Sequence, residues 1–247
     1  MDVGVKLCIW SFMQAIVICG GKGERLGALT SNCPKGMIRI NGKPLLEYHL
    51  DWLKKHGVKE VTFACGHLHD QIQEYFRDGN KFSVKVHYSI EDKPLGRGGA
   101  IKKAWQKMDK GNIVIVTNGD IYTEMDLKNA MLVHSEKNKS IGIEGTICLF
   151  PYQSSYGIVM VDGEHRINSF EEKPVLPYWI NGGVYIFNHK VKDSLPDVGD
   201  HETETFPVLT AKKLLYGYTS NSYWRSVDTV KDVSEFSEYI NEKLLVK

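Results

Sequence analysis

The sequence predicts an α/β protein: a Rossmann-like, mixed but mainly parallel sheet sandwiched by helices. Two observations carry this. Short β-branched runs, Ala15-Ile16-Val17-Ile18, Val61-Thr62-Phe63-Ala64 and Ile113-Val114-Ile115-Val116, have the unbroken hydrophobicity of strands buried on both faces. Between them lie amphipathic stretches of helical period, and strands alternating with helices imply parallel pairing. The chain of 247 residues, 42% hydrophobic and 25% charged, has an ordinary globular composition. A chain of this size buries roughly 70–75% of its unfolded surface, enough for one large domain.

In order, Gln14–Cys19 reads as a buried first strand and Pro44–His56 as a helix with Leu45, Leu46, Leu50 and Leu53 on one stripe. Val61–Ala64 is a strand and His69–Phe76 a helix. Val84–Tyr88 alternates as a third strand, and Gly98–Trp105 is a short helix. Ile113–Val116 is a fourth strand, and Asp126–Asn138 a long helix. After about residue 140 the texture changes to strands: Ile141–Leu149, Gly157–Val161, Ile167–Phe170 and Trp179–Phe187. Helices return at Thr203–Leu215 and Val230–Leu244. No Gly/Ser/Pro-rich linker separates the halves, which argues for one domain with two lobes. Residues 1–12 read as an extension before Met13, residues 13–140 as one lobe and residues 141–247 as a second, β-rich lobe.

Charge and cysteine usage exclude several classes. With 31 Lys+Arg against 30 Asp+Glu the net charge is +1, so a broad nucleic-acid face is not expected and an anionic ligand must be met by local cations. The five cysteines are scattered without a C-x-x-C pair, which disfavours zinc and disulfide frameworks and fits a reducing cytoplasm. The apolar start, Val5–Cys19, lacks a basic n-region and a small-residue cleavage site, and it is too short to span a membrane.

Four segments carry candidate chemistry. Gly20-Gly21-Lys22-Gly23-Glu24-Arg25 follows the first strand; its glycines let backbone N–H groups close on an anion, and Arg25 adds a planar charged fork. Ten residues on, Pro34-Lys35 adds a second cation after a rigid residue. Neither a P-loop string nor an intact G-x-G-x-x-G is present, since Leu26 stands at the third glycine's place. Asn118-Gly119-Asp120 ends the Ile113–Val116 strand, where open α/β sheets collect ligands and a carboxylate can hold Mg²⁺ on a phosphate. Leu95-Gly96-Arg97-Gly98-Gly99 opens a helix and offers free N–H groups. Glu171-Glu172-Lys173-Pro174 and Asn181-Gly182-Gly183 offer an acceptor, a cation and an amide. Alone, each has a plain reading as a turn, a connector or a solvated charge run.

In this order and spacing the segments resemble the sugar-1-phosphate nucleotidyltransferase family, which makes NDP-sugars from NTP and sugar-1-phosphate. The resemblance runs from about Gln14 to Tyr239 and implies the nucleotide-diphospho-sugar transferase fold, with a nucleotide-binding lobe over 13–140 and a sugar-phosphate-binding lobe over 141–247. Pro44–Asp51, Tyr88-Ser89-Ile90-Glu91 and Leu95–Lys103 look most like heptose- and mannose-1-phosphate guanylyltransferases, so GTP is the favoured nucleotide. A nucleotidyltransferase using CTP, UTP or ATP is the alternative within the family.

The resemblance implies roles. Gly20, Gly21, Gly23 and Arg25 would hold the NTP phosphates, Lys35 would neutralise the α-phosphate, and Glu91 and Gly98 would contact the base. Asp120 would bind Mg²⁺, with Asp228 of Trp224-Arg225-Ser226-Val227-Asp228-Thr229 as second carboxylate. Glu172, Lys173 and Asn181 would hold the sugar phosphate, and Gly157 would lie close to the sugar. Arg25, Lys35 and Asp120 would be the catalytic set, promoting in-line attack on the α-phosphorus. Departures are Glu24 for Thr, Gly36 for the second proline of Pro-Lys-Pro, Arg97 for Thr as an extra cation near the nucleotide, and no glycine before Thr229.

The expected partners are an NTP and a sugar-1-phosphate, without nucleic acid or membrane. A homo-oligomer through Leu149–Ser155 or the terminal helix is also expected, as is the absence of a C-terminal β-helical domain. The main rival is a non-catalytic regulatory paralogue that senses NDP-sugar. A glycosyltransferase would carry Asp-x-Asp, and an NAD(P) oxidoreductase an intact fingerprint. His67-x-His69 lacks companion ligands and reads as a loop entering a helix. His201-Glu202-Thr203-Glu204 reads as a helix start, and Lys102-Lys103 as a solvated face.

Overall fold

The structure, a computed structural model, describes residues 13–108 and 113–245; the proposed 1–12 extension lies outside the described residues. In chain order the first half comprises β1 (Met13–Ile18), β2 (Arg39–Ile40), β3 (Lys43–Pro44), α1 (Leu45–Lys55), β4 (Val58–Cys65), α2 (His69–Phe76), β5 (Lys85–Ile90), α3 (Gly96–Trp105), β6 (Ile113–Asn118), β7 (Ile121–Thr123) and α4 (Leu127–Ile141). The second half comprises β8 (Gly145–Gln153), β9 (Ile158–Val161), β10 (Ile167–Glu171), β11 (Val175–Asn188), α5 (Thr205–Ala211), β12 (Leu215–Thr219), β13 (Trp224–Ser226) and α6 (Val230–Leu245).

Seven strands form one sheet in the order β12-β8-β11-β6-β1-β4-β5. β6, β1, β4 and β5 are mutually parallel, β11 runs antiparallel to both β6 and β8, and β12 is parallel to β8. Strands from both halves of the sequence therefore share one sheet.

Alternating side chains go to opposite faces, and each face has its own core. Ala15 and Val17 join Leu46, Leu50 and Leu53 of α1, Ile72 and Phe76 of α2, and Leu127, Ala130 and Met131 of α4. Ile16 joins Ala100, Ile101, Ala104 and Trp105 of α3 and Phe206 and Leu209 of α5. A third cluster of Ile40, Leu45, Val227, Phe236 and Ile240 docks α6 near the segment that carries Asp228.

Two expectations are corrected, and one turn is added. Ile141 ends α4 rather than opening a strand: Gly142 adopts a left-handed φ of 71° and β8 begins only at Gly145. The helix expected over Thr203–Leu215 is confined to Thr205–Ala211; the chain turns through Lys213, φ 56°, and Leu215 starts the edge strand β12. Asn41-Gly42, with φ of 51° and 80°, turns the short β2–β3 hairpin, an Asn-Gly signal the periodicity reading passed over.

Candidate active site

The site forms where β1, β4 and β6 end side by side. Gly20, just past β1, lies against Gly66, just past β4: a Cβ on Gly20 would sit 3.1 Å from Gly66 N and 3.2 Å from Glu91 Oε1. Glu91 is held by its own N–H on Cys65 O and by Leu95 N on its carboxylate, each at 2.9 and 2.8 Å. Gly21 faces open space. Gly23 turns at φ 66°, and a Cβ there would meet the Lys35 stem at 3.1 Å, so the glycine loop and Lys35 are packed together.

Lys35 is the centre of the arrangement. Its Nζ donates to Asp120 Oδ2 and to Asp228 Oδ1, both at 2.6 Å, and Arg25 Nη2 reaches the same Asp228 oxygen at 2.7 Å. The Lys35 side chain is only 12% exposed, whereas that of Arg25 is 71% exposed. Burial works to raise the Asp228 carboxyl, but Lys35, Ser226 and Arg25 outweigh it and hold the group below the usual carboxylate range. Sequence-distant elements fix the pair. Gly119 N donates to Ile18 O at 2.8 Å, Val227 N donates to Asp120 O at 2.8 Å, and β13 pairs with β7 so that Ser226 lies opposite Ile121.

Several supporting residues were not foreseen. Leu46 of α1 fills the space beside both Gly36 and Gly119: a Cβ on Gly36 would lie 2.5 Å from Leu46 Cδ1, and one on Gly119 2.9 Å from Leu46 Cδ2. This accounts for glycine at the position where the family resemblance expected a second proline. Asp232 accepts from Asp228 N at 3.1 Å and Thr229 N at 2.8 Å, while Asp232 N donates to Thr229 Oγ1 at 3.2 Å. That is a capping box, legible as Thr229-x-x-Asp232 before an apolar helix.

The remaining predicted residues form two further groups. Glu172 and Lys173 are a 3.5 Å ion pair, and a Cβ on Gly157 would lie 3.0 Å from Glu172 Oε2. No hydrogen bond or ion pair among the described residues joins them to Lys35, Asp120 or Asp228. Asn181 donates to Tyr185 Oη at 3.0 Å and Glu202 Oε1 at 2.9 Å, and it accepts from Gly183 N at 2.9 Å. Gly183, at φ 69°, abuts Asn118, which leads into Gly119-Asp120.

The helix start at Leu95–Gly99 does not offer the free N–H groups expected of it. Gly98 N and Gly99 N both point to Gly199 O, and Gly98 is packed against Pro196 and His201. Arg97 pairs with Asp200 and Glu202, and Lys102 with Asp197, so neither is a bare cation. Glu24 is exposed to solvent.

Magnesium, implied by the resemblance, is tested by the donors present. Mg²⁺ takes hard oxygen ligands and is held through one or two carboxylates plus substrate phosphates rather than by an all-protein cage. Asp120 and Asp228, facing one ammonium from two sides, fit that demand. Among the described residues no group of three or more His, Cys, Asp or Glu gathers as a metal cage.

An α/β sheet with a glycine loop and a cation-bridged aspartate pair at its strand ends defines a protein that handles phosphorylated ligands. The chain belongs to the nucleotidyl transferase family, whose pattern matches residues 14–243. It is similar to D-glycero-α-D-manno-heptose 1-phosphate guanylyltransferase of Aneurinibacillus thermoaerophilus, 35% identical over 92% of this chain and 100% of that protein. Mannose-1-phosphate guanylyltransferase of Mycobacterium tuberculosis is 31% identical over 89% of this chain and 62% of its own length. HddC of Yersinia pseudotuberculosis, solved in complex with GMP-PN, superimposes with a TM-score of 0.71 at 27% identity, over 93% of this chain and 100% of that one. Among the described residues no helix is long and apolar enough to cross a membrane.

Proposed function

We propose that this chain transfers a nucleotidyl group from an NTP to a sugar-1-phosphate, releasing pyrophosphate, with GTP as donor and a heptose- or mannose-type sugar phosphate as acceptor. The observation that carries the reading is the Lys35 ammonium held 2.6 Å from each of Asp120 and Asp228 beside the glycine loop. The heptose- and mannose-1-phosphate relatives support the guanylyl and sugar preferences.

An acceptor phosphate oxygen bonds to the α-phosphorus as the bond to the β-phosphate oxygen breaks, and pyrophosphate leaves in line. The attacking oxygen is already anionic, so the site needs no nucleophilic side chain; it must bring two polyanions together. Gly20, Gly21, Gly23 and Arg25 bind the triphosphate, and Lys35 turns from the carboxylates to the α-phosphate. Glu91 and Gly98 border the base. Glu172, Lys173, Asn181 and Gly157 receive the sugar phosphate. Asp120 and Asp228 would hold Mg²⁺, which when bound neutralises phosphate charge. Residues 13–140 act as the nucleotide lobe and 141–247 as the sugar-phosphate lobe. A cytoplasmic setting is supported by the free state of the four described cysteines.

A regulatory paralogue that only senses NDP-sugar is disfavoured by the convergence of Lys35, Arg25 and both carboxylates. The test is pyrophosphate release by Asp120→Asn and Lys35→Ala: folded proteins with activity reduced on the order of 10²–10³ are expected. Wild-type turnover in either would remove the reading.

A further inference from the structure

We infer that Arg97 and Glu202 are a positioning pair that sets the Asn181 amide and thereby ties the first turn of α3 to the sugar side of the site. The inference rests on the nucleotidyl-transfer reading above. The Arg97 guanidinium spans two carboxylates: Nε lies 2.7 Å from Asp200 Oδ2, and Nη2 lies 2.6 Å from Asp200 Oδ2 and 2.7 Å from Glu202 Oε2. The second Glu202 oxygen accepts from Asn181 Nδ2 and from Tyr185 Oη, both at 2.9 Å. One carboxylate therefore joins a helix residue 105 positions earlier to a strand residue 21 positions earlier.

The consequence for Asn181 is orientation. An amide can be flipped, presenting either oxygen or nitrogen at a given place. Here the nitrogen is committed to two acceptors, so the oxygen faces Gly183 N at 2.9 Å and fixes the tight Gly182-Gly183 segment. That segment has no slack: a Cβ on Gly183 would lie 2.6 Å from Asn118 Nδ2, and Trp224 Nε1 donates to Gly182 O at 2.8 Å. Asn118 leads to Asp120, and Trp224 to Asp228. The supporting loop is itself anchored, since Gly199 N donates to Leu95 O at 2.8 Å and Gly98 N to Gly199 O at 2.9 Å. Tyr185 is fully buried, so its hydroxyl depends on Glu202 and Asn181 for partners. Without Arg97 the Glu202 carboxylate keeps a half-buried charge beside a buried hydroxyl and loses its reason to hold one rotamer. Asn181 is then released. Arg97, which the sequence suggested as a cation for the nucleotide, acts instead toward the sugar side.

The test uses the full chain as wild type, Arg97→Gln, Glu202→Gln, the double variant and Arg97→Lys. Steady-state pyrophosphate release is measured while NTP and sugar-1-phosphate are varied separately, and the NTP dissociation constant is taken by calorimetry. Each single variant is expected to raise the sugar-phosphate KM about tenfold and leave NTP binding within about twofold, the double variant is no worse than a single one, and Arg97→Lys recovers part of the loss. An unchanged sugar-phosphate KM, an equal rise in both KM values, or additive losses would overturn the pair. If wild type itself releases no pyrophosphate, the functional reading fails. The pair is then judged by thermal unfolding of the same proteins, where additive shifts in Tm would overturn it and non-additive shifts would sustain it.

Discussion

The Lys35 ammonium lies 2.6 Å from Asp228, a residue 193 positions away, and at the same distance from Asp120. One largely buried cation thus holds two carboxylates that would otherwise repel, the same two that would hold a divalent ion. Lys35→Met should leave the aspartates facing each other, lowering Tm by about 2–4 °C in chelator, which millimolar Mg²⁺ should restore. Differential scanning calorimetry with and without Mg²⁺ reads this directly. Equal Mg²⁺ shifts in wild type and variant would show that Lys35 does not compete for the carboxylates.

Leu46 packs beside both Gly36 and Gly119, the neighbours of Lys35 and Asp120. Gly36→Ala should cost about 1–3 kcal/mol by overpacking and should lower activity as Lys35 is displaced. Because one side chain causes the clash, Gly36→Ala and Leu46→Ala combined should be less destabilising than the sum of the two, measured by urea unfolding. Additivity would argue against the shared contact.

Asp232 closes the capping box of α6 while also holding Asp228 N. Asp232→Ala should cost about 1 kcal/mol of stability, an ordinary cap loss. Its effect on kcat should exceed what that loss explains, since Asp228 loses its backbone anchor. Chemical denaturation and turnover on the same preparation separate the two; unchanged kcat would make Asp232 a cap alone.

His201 is fully buried and, among the described residues, has no hydrogen-bond partner on either ring nitrogen; burial lowers its pKa to about 4 against the pull of the Glu202 and Asp200 carboxylates. The unfolded chain therefore binds a proton below about 6.5 that the folded chain refuses. The stability this lends is complete above pH 6.5 and is lost as the pH falls toward 4, up to roughly 3 kcal/mol. Asp228, held low by Lys35, loses its contribution only below the usual aspartate range. Thermal unfolding from pH 7.5 to 4.5 should decline in wild type and decline less in His201→Leu; parallel curves would contradict the assignment to His201.

Much of this architecture could be read from periodicity, because β1, β4 and β6 each carry a largely apolar run, residues 15–18, 61–64 and 113–116, whose side chains are buried toward both faces of the sheet. The edge strand β12 was missed: the helical reading ran on to Leu215 and stopped there, whereas Leu215–Thr219 pairs with β8 as a strand. The candidate site was legible where a segment bears its own signal, as in the glycine loop, Pro34-Lys35 and Gly119-Asp120. It was not legible where the role depends on a distant partner. Nothing in Glu202 or Arg97 alone announces that they meet, and Leu46 looks like any core leucine until two glycines are found beside it. The expectation of free N–H groups at Gly98 and Gly99 failed for the same reason, since the N–H groups of a helix start stay free only if no loop carbonyl covers them.

The most direct measurement is pyrophosphate release in a matrix of the four NTPs against a panel of sugar-1-phosphates, with and without Mg²⁺. The account predicts release only when both substrates are present, highest with GTP and a heptose- or mannose-type 1-phosphate, and abolished by Asp120→Asn. No release from any pair, or release unaffected by Asp120→Asn, would contradict it.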